Sequence, residues 1–220
     1  METNWAAEHL QVIRTLMERS ALYRRALAPI MIFNGGVGLV AAVLGWAVGI
    51  KSPRAFILYW ATVGVIAVAR SFLLVRRQAL KESEPFWSPP TRRVTQALLP
   101  PLVAGFMIGA ADFAREGPVL AVSFFGHGPT VIPTVMPWLP LSWVVLYGCA
   151  FHAAGFFMPR GMKVFGWAFI LGGCALLVAG AADARHPAGC AHAIMGFFFG
   201  GLHLAYGVYL YYTEPRGNAP

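Results

Sequence analysis

Charge is what this sequence has least of. Only 12% of its 220 residues are Asp, Glu, Lys or Arg, about half the share that a water-covered globular surface carries. Acids are scarcer than bases, 9 against 17, which leaves a net charge of +8. The three cysteines, Cys149, Cys174 and Cys190, form no C-x-x-C pair, and an odd number cannot all pair with one another. No disulfide framework is implied, and each reads as a buried free thiol. H-E-x-x-H, G-x-S-x-G, a Walker loop and G-x-G-x-x-G on a strand are all missing. These gaps argue against an enzyme, and the thin, scattered supply of His and Asp argues against a metal hydrolase. The first 25 residues are too polar for a cleavable leader, so the first apolar segment is expected to act as its own insertion signal.

What is there is apolar. Hydrophobic residues make up 58% of the chain, in runs of the length that crosses a bilayer, about 20 residues each. The expected fold is all-α: a polytopic transmembrane helix bundle of six spans, roughly 27–50, 55–75, 97–114, 138–158, 164–182 and 189–212. Residues 1–26 read as a cytoplasmic amphipathic helix on the membrane surface, with Leu10, Ile13, Leu16 and Met17 near helical spacing. Residues 27–212 form the six-helix domain, and 213–220 a cytoplasmic tail.

The polar connection 76–96 separates spans 2 and 3. The third span is expected to open on Pro100-Pro101, in a first helical turn. Residues 117–140 are apolar yet cut by Pro118, Pro129, Pro133, Pro137 and Pro140. No continuous helix survives such proline density; this segment between spans 3 and 4 is expected to be broken, either re-entrant or capping one end.

Lys and Arg fix the expected orientation. With these spans, twelve fall on one side, from Arg14 through Arg76, Arg77, Lys81, Arg92 and Arg93 to Arg216; four fall on the other (Lys51, Arg54, Arg115, Arg185) and Arg70 lies within span 2. Both termini are therefore expected inside. Cations in short loops beside apolar runs suit anionic headgroups. They do not form the basic face of a nucleic-acid domain. The expected location is a bacterial inner (plasma) membrane.

A repeat is visible in the second half. Gly109-Ala110-Ala111-Asp112 recurs as Gly180-Ala181-Ala182-Asp183, and His152…Gly155…Pro159-Arg160-Gly161 echoes His203…Gly207…Pro215-Arg216-Gly217. Residues 97–161 and 164–217 then read as two parallel hairpins.

The candidate ligand-binding residues are His127, Asp112, Asp183 and His192. His127 sits in Phe124-Phe125-Gly126-His127-Gly128-Pro129, a composition that suits a lid or a ligand-contacting loop. Asp112 and Asp183 end their spans, where an acid either pairs with Arg115 or Arg185 or guards an entrance. His192 and His203 lie eleven residues apart on one helix. That is close to three turns, so both are expected on one face, about 16 Å apart. His152 and His203 are the alternative pair, as axial ligands of haem b. Asn34 is expected to hydrogen-bond across helices, and Arg70 to snorkel toward the inner surface. The first functional reading is a membrane protein that binds or conducts a small solute or ion. The second is a haem-binding redox protein. The third is a structural or regulatory subunit, meeting a second copy or another membrane protein through Gly-rich faces.

Overall fold

The computed structural model describes residues 27–81, 87, 89–114, 119–121, 130–132, 136, 138–158, 161–180 and 187–213. The expected surface helix 1–26, the tail, His127 and Asp183 lie outside the described residues. Helices dominate what is described: α1 (Leu27–Val48), α2 (Pro53–Lys81), α3 (Pro89–Ala114), α4 (Trp138–Ala154), α5 (Gly161–Val178) and α6 (Pro187–Thr213). Five are long and apolar enough to cross a membrane, and α4 is a shorter apolar helix of 17 residues. This agrees with a helical membrane bundle.

The α1–α2 turn shows how local sequence sets the path. Gly49 takes φ +74°, a conformation open to a residue without Cβ. Its N–H donates to the Trp46 carbonyl, and the Ile50 N–H to that of Gly45; together these close a Schellman motif that satisfies the helix end. Ser52 then caps α2, its Oγ accepting the Ala55 N–H at 3.3 Å. Pro53 follows as the first helical residue, where its missing N–H costs nothing.

Helices α2 and α3 differ from the hydropathy reading at the ends that face each other across residues 82–88 in sequence. Helix α2 continues through Arg76 and Arg77 to Lys81, and α3 starts at Pro89, so most of the expected loop 76–96 is helical. Hydropathy marks the part of a helix that sits in hydrocarbon. Gln78, Ala79, Leu80 and Lys81 are strong helix formers that carry the helix beyond it. Pro100 and Pro101 consequently lie inside α3 instead of opening it; the helix instead opens on Pro89-Pro90, in the turn where proline is tolerated. Between α3 and α4 the described residues form no helix. Val119–Ala121 and Thr130–Ile132 pair antiparallel, Val119 opposite Ile132.

Packing is uneven. One buried cluster joins α1, α4, α5 and α6 through Met31, Leu141, Val144, Met162, Phe165, Phe169 and Phe198. A second joins α1, α2 and α6 through Ala41, Phe56, Trp60, Ala191 and Met195. Glycines set the closest approaches. An added Cβ at Gly38 would lie 2.5 Å from the Phe199 carbonyl oxygen, at Gly35 2.5 Å from the Leu204 nitrogen, and at Gly200 2.8 Å from the Leu39 nitrogen. Helices α1 and α6 therefore touch backbone to backbone, the use small residues have where helices pack in lipid. Gly148 and Gly166 do the same for α4 and α5. Trp143 of α4 fills the space over Gly109 and donates to the Gly105 carbonyl of α3 at 2.9 Å. The outer faces of α2 and α3 carry Val65, Val68 and Phe106, each about two-thirds exposed, as lipid-facing positions require.

The expected side-chain contacts are partly there. Asn34 donates to Ser71 Oγ at 3.1 Å, joining α1 to α2. The Arg70 guanidinium lies over the Phe33 ring at 5.4 Å. The two glycines of the tetrapeptide repeat differ: Gly109 is helical, whereas Gly180 takes φ +71° just beyond α5.

Candidate functional site: a buried tyrosine–histidine pair beside a π-helical segment

Helix α6 changes character halfway. Pro187–Met195 is α-helical, Gly196–Leu202 is π-helical, and His203–Thr213 is α-helical again. The π segment reads GFFFGGL. Its i→i+5 pattern takes one residue more per turn than an α-helix, so each such turn makes the following residues lag by about 100°. Gly196 and Gly200 lie against Ala42 and Leu39 of α1, while Phe198 is 1% exposed in the core. Small residues on one side and a buried ring on the other fit the widened turn between its neighbours.

That lag separates the two histidines. His192 and His203 were expected on one face; they face different helices, because the π segment lies between them. His203 points into α4 and α5. Tyr147 of α4 lies with its hydroxyl 2.7 Å from His203 Nε2, and His203 Nδ1 lies 3.0 Å from the Phe198 carbonyl oxygen. A carbonyl can only accept, so Nδ1 carries the proton. Neutral Nε2 is then the acceptor, and Tyr147 donates to it. Rings enclose the imidazole: Phe165 at 5.1 Å, Tyr147 at 5.4 Å, Phe169 at 5.5 Å, and Phe199 stacked at 6.0 Å and 20°. His203 is 1% exposed.

His192, 2% exposed, turns to α1 and α2. Its Nδ1 accepts the Trp60 indole N–H at 3.2 Å, and Nε2 lies 3.3 Å from the Ile50 carbonyl, to which it donates. Phe56 packs on the ring at 5.0 Å, and Gly45 leaves room for it, since a Cβ there would lie 2.5 Å from Cε1. Nearby, Tyr59 donates to the Ala41 carbonyl at 2.6 Å. With both nitrogens engaged, this ring joins α6 to the α1–α2 hairpin and offers a ligand no lone pair.

The other sequence candidates scatter. Asp112 is half-buried in the last turn of α3. Beside it Arg54 Nε donates to the Phe113 carbonyl at 3.2 Å, with the guanidinium 5.7 Å from the Phe113 ring centre. Asp112 and His192 thus both sit near the α1–α2 turn, but no contact joins them in the described residues. His152 rests on Trp167 at 5.2 Å and Phe156 at 5.7 Å, and its buried Nδ1 has no hydrogen-bond partner among the described residues. Phe165 and Phe169 share one face of α5, and Trp167 is about 200° round from Phe165. His152 and His203 therefore meet different faces of α5, and the structure does not bring the haem candidates together. A metal at His203 Nε2 would have to displace Tyr147. Among the described residues no three His, Cys, Asp or Glu side chains cluster as metal ligands, and none of Cys149, Cys174 and Cys190 forms a disulfide there; Cys174 is exposed.

Tyr147 is the residue that sequence reasoning missed. Its only signal was a phenol hydroxyl in the middle of a mostly apolar span. The chain matches no family model, no curated protein and no solved structure.

Proposed function

We propose that this chain is an integral membrane protein that crosses the bilayer six times with both ends on the cytoplasmic side. In this reading it binds or passes a small hydrogen-bonding solute or ion, the proton being the simplest, between α4, α5 and α6. The observation that carries it is the Tyr147–His203 hydrogen bond, buried in an aromatic cage beside a π-helical segment. Ionisable side chains inside a membrane bundle are costly and mark ion or proton paths, and π segments recur at functional sites. The pair has the parts for proton exchange: Tyr147 donates, and His203 can take a second proton at Nε2 and donate in return. Asp112, with His127 and Asp183, belongs in this proposal to an outer entrance, and His192 holds that end together.

The test is proton entry into proteoliposomes carrying an internal pH dye, driven by a potassium diffusion potential. Wild-type protein should acidify the lumen faster than empty vesicles, and Tyr147→Phe and His203→Gln should each slow entry at least about tenfold. Entry no faster than in empty vesicles removes the proton reading. A Soret band in the purified protein, lost in His203→Gln, replaces it with haem.

A further inference from the structure

The inner ends of α2 and α3 carry a feature that proton or solute passage does not use. Helix α2 has 29 residues and α3 has 26, lengths of about 43 and 39 Å at the helical rise. The hydrocarbon they cross is about 30 Å thick. Both helices are tied at the outer end, where Arg54 at the start of α2 holds the Phe113 carbonyl near the end of α3. The surplus therefore emerges at the other end. Counting about 20 residues from the outer boundary leaves Arg76, Arg77 and Lys81 on α2, and Arg92 and Arg93 on α3, at or just above the hydrocarbon edge. All five are exposed. Ala79 and Val94, by contrast, are buried.

These helical ends thus present cations over an apolar footing. The sequence between them adds only two acids, Glu82 and Glu84. Leu80, beside Lys81, is 70% exposed and Trp87, two residues before α3, is 60% exposed; an aromatic ring and an aliphatic chain next to cations suit a membrane interface. Cations at headgroup height above an apolar wall match one partner, a lipid with a phosphate and a net negative charge.

We infer that the α2–α3 hairpin end is a binding surface for anionic phospholipid headgroups, with Arg76, Arg77, Lys81, Arg92 and Arg93 as the phosphate-binding cations. Each of the four guanidinium groups can pair with a phosphate in bidentate fashion. The surface is distinct from the Tyr147–His203 pair, and it rests on the reading that the chain spans a membrane. A cation at a charged membrane surface strengthens association about fivefold, and salt screens the attraction.

The test embeds the full chain in nanodiscs of equimolar phosphatidylglycerol and phosphatidylcholine and identifies the lipids retained on the released protein by native mass spectrometry. Wild-type protein should retain phosphatidylglycerol preferentially. Arg76→Gln with Arg92→Gln should lower that preference about tenfold. Lys51→Gln with Arg185→Gln, which removes the same charge from residues that the charge distribution along the sequence assigns to the other side, should change it less than about twofold. Equal losses in the two double variants overturn the inference, as does a wild-type protein without headgroup preference. Should the hairpin variant not reach the membrane, wild-type protein at low and high salt decides: a preference that survives high salt overturns the proposed surface. A chain that stays in solution without detergent overturns the membrane reading itself, which is a separate result.

Discussion

The two buried histidines of α6 make an instructive pair. Both are at most 2% exposed, and both have each ring nitrogen engaged. His192 spends its hydrogen bonds on other segments, the Trp60 side chain and the Ile50 carbonyl. His203 gives one to its own helix, at Phe198, and receives one from Tyr147. The first ring is a cross-link, indifferent to the backbone state of α6. The second is tied to the π segment itself, so a change at its outer nitrogen bears on the shape of the helix. Equal burial therefore conceals unequal roles: position and partner decide which histidine can respond to a ligand.

The comparison can be broken most forcefully at the π segment. Inserting an alanine after Phe197 should carry His203 about 100° round α6, away from Tyr147, while leaving His192 in place. Proton entry should fall to the level of empty vesicles, and a hydrogen-bonded Tyr147 signature in ultraviolet resonance Raman spectra should disappear. An unchanged Tyr147 signature would show that the number of residues in the π segment does not set the position of His203. Next comes His203→Ala. It removes a buried ring and leaves the Tyr147 hydroxyl and the Phe198 carbonyl without their partner. The expected loss is about 3 kcal/mol, read by denaturant-induced unfolding in mixed micelles.

His192→Phe keeps most of the volume but leaves the Trp60 N–H unsatisfied, at about 1–2 kcal/mol. It should leave proton entry within about twofold of wild type, and a larger fall would erase the distinction between the two rings. The smallest effect belongs to Asn34→Leu. Its bond to Ser71 lies on neither histidine's side, and interhelical hydrogen bonds in membranes average about 0.6 kcal/mol. Unfolding measured in the same micelles should register little more than that.

How much of this was legible in the sequence depends on the length scale. Helix existence was, because runs of 20 apolar residues have one stable form in lipid. The α1–α2 turn was also local: glycine, serine and proline stand in the order that ends one helix and starts the next. Helix ends were less so, since Gln78, Ala79, Leu80 and Lys81 prolong α2 through propensity and not hydropathy. The facing of His203 could not be read from spacing, because eleven residues mean three turns only if every turn is α-helical. GFFFGGL hints at an irregular turn, yet only contact with Leu39 and Ala42 of α1 shows what the turn fits. Tyr147 was hidden for a related reason. A phenol hydroxyl in a mostly apolar run looks like an interfacial residue until its partner, far along the chain, is placed beside it.

The glycine contacts between α1 and α6 have a consequence for how the chain is made. These are the first and last of the described helices, and Gly35 and Gly38 of α1 lie against Leu204 and Phe199 of α6, while Gly196, Gly200 and Gly207 of α6 lie against Ala42, Leu39 and Ile32 of α1. During synthesis α1 enters the membrane long before α6 exists. Its glycine face must then lie against lipid, a translocon surface or a borrowed helix until the final segment emerges. The α1–α6 contact thus forms only after α6 has been made, and a ribosome that stops before Pro187 leaves α1 without its glycine-matched neighbour.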